Sequence, residues 1–191
     1  PTSATIKAKS KVTGLVDKGA DKGALILTER TLKDAESGLD LATLTSTTFA
    51  RGNGGYDGPS DEAPRPHKVP EREPDFAVDL TTLDMAALIY RLSGDYNPLH
   101  ASPSVAKAAG FPKPILHGLC SLGVAGHAIL KGCCDYDAKR LKSLQLRFSS
   151  PVYPGETMRT EIWRDGANIS FKSKIVERDV VVLDNGHATV E

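Results

Sequence analysis

The sequence predicts an α+β fold in which an antiparallel sheet curls round one buried helix. Three observations carry that expectation. The stretch ILHGLCSLGVAGHAIL (115–130) is apolar on nearly every side, as a helix enclosed by protein must be. Four strand-like runs follow it: LKSLQLRFSSPVY (141–153), ETMRTEIWRDG (156–166), NISFKSKIVERD (168–179) and VVVLDNGHATV (180–190). They read as a long antiparallel meander. Ahead of the helix, three more strand-like runs are set apart by a proline-rich stretch.

Those first runs are KVTGLVDKG (11–19), ALILTERTL (24–32) and LATLTSTTFARG (41–52), β-branched or alternating and separated by the turns DKGADKG and DAESGLD. A glycine-rich segment, RGNGGYDG (51–58), follows. It superficially resembles a phosphate loop, but Pro59 comes next and no helix opens there, so it reads as a plain loop. Prolines at 59, 64, 66, 70 and 74 exclude helix and central strand, which makes 59–78 a linker between a strand-rich segment, 1–58, and a second domain, 79–191.

Within that second domain, TTLDMAALIYRL (81–92) has apolar residues at 83, 87, 88 and 92, the spacing of a helix capped by Thr81 or Thr82. SPSVAKAAG (102–110) reads as a short helix capped by Ser102, with Pro103 at its first position and Gly110 ending it. Glycines at 118, 123 and 126 let neighbours approach the long helix closely, and Trp163 and Phe171 read as strand core.

Lysine plus arginine equals aspartate plus glutamate, 24 each in 191 residues. A net charge of zero lacks the basic footprint of a nucleic-acid binder. It leaves room for a local patch that grips an anionic small molecule. The three cysteines, Cys120, Cys133 and Cys134, show no C-x-x-C spacing, which points to a reducing intracellular setting. No apolar run approaches the roughly 20 residues of a membrane span. The chain opens on Pro1 without a signal peptide and stops at Glu191 in mid-strand without a peroxisomal tripeptide, so both ends read as trimmed.

The chemistry concentrates in GDYNPLH (94–100) and in the HG that opens the long helix. Singly, Asp95, Asn97 and His100 each suit an ordinary turn. Together, a proline-fixed turn aims a carboxylate and an imidazole at one point, with Asn97 to hold the loop or a water. Such a pair can share one water, one member taking a proton and the other giving one. Gly118 lies in the first turn of a helix, where amides are unpaired and partially positive, so a ligand oxygen can reach bare backbone. That amide suits a developing enolate or oxyanion. Acid/base pair and oxyanion donor together fit addition of water to a carbonyl-conjugated double bond, or its reversal, without metal or organic cofactor. A His117–Cys120 thiol–imidazole pair has nothing to orient it. A metal site from Asp95, His100 and His117 lacks supporting ligand spacing.

The stretch YRLSGDYNPLHASPSVAKAAGFPKPILHGLCSLG (90–123) closely resembles the hydratase 2 motif of the MaoC-like, hot-dog-fold (R)-specific enoyl-CoA hydratases. RFSSPVYPGETMRTEIW and RGNGGYDG extend the likeness to nearly the whole chain. The resemblance implies that Asp95 and His100 are the catalytic pair, Asn97 a supporting residue and Gly118 the oxyanion donor. Tyr96, Pro98, Leu99 and Phe148 would contact substrate, and Lys18 would lie near the CoA moiety, with Lys22 of the second DKG competing for that place. Ser102 stands where the family more usually has an acidic residue. No cofactor is implied, CoA thioester being the substrate.

Eukaryotic hydratase 2 resembles two fused hot dogs, the first degenerate and without catalytic residues but roomy for long acyl chains. Residues 1–58 look like the back half of that first unit, without its helix, followed by a complete C-terminal hot dog. Implied partners are a second copy in a homodimer or a missing N-terminal portion, and the implied compartment is the peroxisome, otherwise the cytoplasm. Two rival functions stay open: a hot-dog dehydratase or thioesterase on acyl-CoA or acyl-carrier-protein thioesters, and a non-catalytic acyl-thioester-binding module.

Overall fold

Residues 3–60 and 65–191 are described by a computed structural model, so Pro1 and Pro64 lie outside the described residues. The chain divides into two units, Pro1–Arg65 and Pro66–Glu191.

In the first unit β1 (Ile6–Asp17), β2 (Ala24–Asp34) and β3 (Asp40–Ala50) form an antiparallel sheet in that order. β1 starts at Ile6 rather than residue 11 because IKAKSKV already alternates apolar or small with charged residues. Lys11 and Glu29 face each other across the register and pair at 2.8 Å. The loop RGNGGYDG is closed by a buried carboxylate. Asp17 accepts the amides of Gly19 at 2.8 Å, Gly55 at 2.7 Å and Gly58 at 3.4 Å. Gly55 has φ +82°, and a Cβ on Gly54 would meet the Gly19 and Gly23 carbonyl oxygens at 2.2 and 2.4 Å. The glycines therefore serve a self-filled amide nest, and the protein's own anion takes the place a phosphate would want.

The second unit is built from β4 (Phe76–Thr81), α1 (Ala86–Tyr90), α2 (Pro103–Ala108), α3 (Gly118–Cys133), β5 (Leu141–Phe148), β6 (Thr157–Asp165), β7 (Asn168–Ile175) and β8 (Val180–Val190). Its antiparallel sheet runs β4-β6-β7-β8-β5. Only β6, β7 and β8 meander; β5 leaves α3 for the far edge beside β8, and β4 closes the other edge. α3 lies across the sheet, touching β4, β5 and β6. Ala125, Ala128 and Ile129 of α3 pack on Met158, Ile162, Phe171 and Leu183, all essentially inaccessible. Truncating Ile129 to alanine would cost about 2–5 kcal/mol.

Four expectations change. The helix read at 81–92 is shorter: Thr81 ends β4 and the caps named for it serve elsewhere. Thr82 Oγ1 donates to the Glu156 carbonyl and accepts the Gly155 amide, both at 3.0 Å, so α1 starts at Ala86 with no side-chain cap and tightens into a 3-10 turn at Arg91–Ser93. Ser102 makes no capping bond either; its hydroxyl meets that of Ser104 at 3.0 Å. α3 is not enclosed all round. Leu119, Gly123, His127 and Lys131 form an exposed stripe, because a five-stranded sheet covers one side of a helix only. The run 141–153 stops as a strand at Phe148, and Ser149–Tyr153 turns toward the front of α3, where the Leu116 amide donates to the Val152 carbonyl at 2.7 Å.

The proline-rich stretch divides. From Pro66 to Asp75 it runs over the outer face of the sheet, and Phe76 already begins β4. Asn185 Nδ2 donates to the His67 carbonyl at 2.7 Å, and the Trp163 indole donates to the Arg72 carbonyl at 2.7 Å. Phe171 is core as expected. Trp163, one residue past the core Ile162, points to the opposite face and is buried under this strap.

Candidate active site

The turn between α1 and α2 is fixed by its own side chains. Gly94, at φ +110°, ends the 3-10 turn that continues α1. Asp95 Oδ1 then accepts the Asn97 amide at 3.2 Å, and Asn97 Oδ1 accepts the Leu99 amide at 3.0 Å. Asn97 thereby caps a one-turn 3-10 helix, Pro98–His100, with proline at its first position. The sequence Asp-Tyr-Asn-Pro-Leu-His thus presents Asp95 and His100 from the two ends of one small rigid unit, with Asn97 holding the loop.

His100 is oriented from outside that unit. Its Nδ1 lies 2.8 Å from the Ile115 carbonyl oxygen, and a carbonyl only accepts, so Nδ1 carries the proton. In the neutral form of the ring the lone pair is therefore on Nε2, the nitrogen that can take a proton from water. Donor atoms of Asp95, His100 and His117 all lie within 4.8 Å of one another.

His117 is the N-cap residue of α3 and Gly118 its first helical residue, so the Gly118 amide belongs to the first turn, where no helical carbonyl reaches it. His100, Gly118 and Phe148 line one open cavity of ≈ 320 Å³, together with apolar groups that include Phe111, Leu116 and Leu183. On a second cavity of ≈ 310 Å³ His100 appears again, with Asp84, Leu88 and Lys113. The imidazole therefore stands between an apolar chamber and one with an exposed cation. Asp95 is exposed beside His100 and lines neither cavity. Tyr96 is 61% exposed, with the Arg91 guanidinium 5.3 Å from its ring centroid; Pro98 is exposed and Leu99 half-buried on the same turn. Lys18 stands in the first unit, exposed in the β1–β2 turn beside Lys22.

Sequence reasoning treated His117 only as a partner for Cys120 or a metal. The structure gives it a larger place. It is 1% exposed, stacked on His100 with centroids 3.7 Å apart and planes at 25°, and its Nε2–H donates to the Asp95 carbonyl at 3.2 Å. Burial chiefly pushes its pKa below the ordinary histidine value, with the neighbouring His100 adding to the effect and the Asp95 carbonyl opposing it. Burial likewise raises the Cys120 thiol, away from nucleophilic use. Among the described residues, Asp95, His100 and His117 are the donors that could hold a metal, but stacking works against it. Imidazole lone pairs lie in the ring plane, and two rings 3.7 Å apart at 25° cannot both point at one ion about 2 Å away unless one turns.

An antiparallel sheet laid over one long helix is the hot-dog class of folds, and here polar groups gather at that helix's N-terminus. The family model described as MaoC like domain matches residues 66–186, and the chain belongs to that family. It is 41% identical over 192 residues to 3-hydroxyacyl-thioester dehydratase Y of Mycobacterium tuberculosis, covering 97% of this chain and 66% of that protein. To the peroxisomal enoyl-CoA hydratase 2 of Arabidopsis thaliana it is 41% identical over 192 residues, covering 96% and 62%. A MaoC-like dehydratase from Phytophthora capsici superposes with a TM-score of 0.84 at 42% identity, over 97% of this chain and 64% of that one. Full-length peroxisomal multifunctional enzyme type 2 from Drosophila melanogaster gives 0.82 at 40%, over 100% and 34%. The chain spans just under two thirds of the length of the first curated relatives it matches. Among the described residues no helix is long and apolar enough to cross a membrane.

Proposed function

We propose that this chain adds water across trans-2-enoyl-CoA to give (3R)-3-hydroxyacyl-CoA, a step of fatty-acid β-oxidation. The observation that supports it best is the proximity of Asp95 and His100 beside the cavity that Gly118 and Phe148 share. In this reading the Gly118 amide holds the thioester oxygen as charge builds on it. The Asp95/His100 pair draws one proton from a water whose oxygen attacks the β-carbon, and returns a proton to the α-carbon, so no cofactor is consumed. His100 enters with Nε2 unprotonated. Phe148 lies against the acyl thioester, and Tyr96, Pro98 and Leu99 form the rim. The same site runs the reverse dehydration, the direction in the name of the mycobacterial relative.

β1–β3 is read as the back half of a degenerate first hot dog, completed by a portion N-terminal to it or by a second copy. A peroxisomal setting belongs to the same reading, drawn from relatives with peroxisomal names, although Mycobacterium tuberculosis supplies others.

The experiment follows loss of enoyl-thioester absorbance with crotonyl-CoA and a medium-chain 2-enoyl-CoA, with chiral analysis of the product. Asp95→Asn and His100→Gln should each lower kcat by about 10²–10⁴-fold while KM moves little. Release of free thiol would replace this reading with a thioesterase. Binding of acyl-CoA without turnover would leave a binding module.

A further inference from the structure

We propose that His117 is a positioning residue for the acid/base pair, a buried imidazole that locks Asp95 and His100 into one geometry without touching substrate. This rests on the hydratase reading of Asp95 and His100.

His117 Nδ1 is buried and has no hydrogen-bond partner among the described residues. An orphaned polar atom in the interior costs about 1–3 kcal/mol, which a phenylalanine or leucine would avoid. What the imidazole supplies instead is one hydrogen bond and two ring contacts. Its Nε2–H holds the Asp95 carbonyl, fixing the start of the catalytic turn. Its face supports the His100 ring at 3.7 Å, and the Tyr90 ring leans on it at 4.7 Å and 44°.

His100 is thus held in its plane by Ile115 and against its face by His117, leaving it little freedom but to present Nε2. Leu116 and Gly118 line the cavity shared with His100 and Phe148, and His117 between them does not. It acts through its neighbours. The charged and titratable groups around it are Asp95, His100, Arg91 and the Tyr90 hydroxyl; a ring that protonated there would be attracted by the Asp95 carboxylate, but burial, the Arg91 guanidinium and any charge on His100 all oppose it. A neutral His117 lets His100 alone change charge as the proton moves.

The test measures enoyl-CoA hydration by wild type, His117→Phe, which keeps a ring to stack and loses the N–H, and His117→Gln, which keeps an N–H and loses the ring. Both should lower kcat at least about tenfold with KM within twofold, and shift the pH–kcat profile. Combined with His100→Gln, His117→Phe should add little further loss, because the residues act as one unit. Either folded variant within twofold of wild-type kcat, or a loss confined to KM, overturns the proposal. So does full multiplication of the two effects. Should both variants fail to fold, nitrogen NMR of the wild-type imidazoles decides: a neutral Nε2–H tautomer for His117 at pH 7 is expected, and a protonated or Nδ1–H ring overturns it. Unimpaired Asp95→Asn and His100→Gln would sink the hydratase reading as well. Impaired pair variants beside intact His117 variants would sink only the positioning role.

Discussion

Phe148 stands against the space that a side chain on Gly118 would fill: a Cβ there would meet Phe148 Cε1 at 3.3 Å and Cδ1 and Cζ at 3.5 Å. Edge strand and helix N-terminus are brought together at one wall of the cavity, with the amide bare between them. Gly118→Ala is tight by a few tenths of an ångström, and Phe148, 49% exposed, has room to yield. Alanine also suits a helix better than glycine by up to about 1 kcal/mol. The variant should therefore melt within a few degrees of the parent, yet lose at least about tenfold in kcat/KM because the methyl obstructs the oxyanion position. A stable Gly118→Ala protein with parental kinetics would take the amide out of the mechanism.

The loop that carries the cavity's other wall is braced from outside. Arg178 grips Glu156 side-on, Nε to Oε1 at 2.5 Å and Nη2 to Oε2 at 2.9 Å, and Nη2 also reaches the Pro151 carbonyl at 2.8 Å. Glu156 Oε2 accepts the Tyr153 amide, and the guanidinium stacks 5.1 Å from the Tyr153 ring centroid. Glu156→Gln breaks the bidentate pair and should cost about 1–2 kcal/mol in urea titration. Since Ser149–Val152 line the cavity and Glu156 does not, KM should rise several-fold while kcat holds within about threefold. Loss of kcat at constant KM would place the brace's effect elsewhere.

Local chemistry was legible in the sequence, and long-range pairing was not. GDYNPLH could be read because proline and the two Asx side chains close the turn on backbone only two residues away. α3 could be placed because sixteen residues without a long polar break declare a buried helix. Thr82 was misread as a helix cap because its partners, Gly155 and Glu156, lie more than seventy residues along. The strap at Pro66–Asp75 was hidden for the same reason: prolines exclude helix and central strand, but say nothing of whether the extended chain covers Trp163. His117 offered one local signal, its place at the cap of a helix. Its stack on His100 depends on Ile115 and Asp95 arriving from different directions.

Asp17 gives a pH prediction. The amide of Gly55, then that of Gly19, holds its carboxyl below the usual carboxylate range. A depressed acid stabilises the fold above its unfolded value near 3.8 and loses that contribution as pH falls through the lower folded value. Asp17→Asn should speed hydrogen exchange at the Gly55 and Gly58 amides near neutral pH, and the gap between variant and parent should close as pH drops well below 3.8. Identical exchange at neutral pH would mean the nest holds without its anion.

The outer strap offers a sharper acid marker. Asp75 pairs with Arg72 and accepts the Arg164 amide at 2.7 Å, and these bonds lower its pKa to about 2. Its own amide donates to the Ile162 carbonyl at 2.8 Å, so the residue joins strap to β6 through backbone and side chain. Trp163, the only tryptophan in the sequence, lies beneath with its indole on the Arg72 carbonyl. Its emission therefore reports the strap. The side-chain contribution is complete above the unfolded pKa near 3.8 and fades as pH falls through about 2, the sign expected of a depressed carboxylate. Tryptophan emission should hold steady down to about pH 3 unless the whole unit unfolds first, which circular dichroism would register. Asp75→Asn should shift emission to the red already at neutral pH, with far-ultraviolet dichroism unchanged. A variant with parental emission would show that the proline backbone and the His67–Asn185 bond seat the strap unaided.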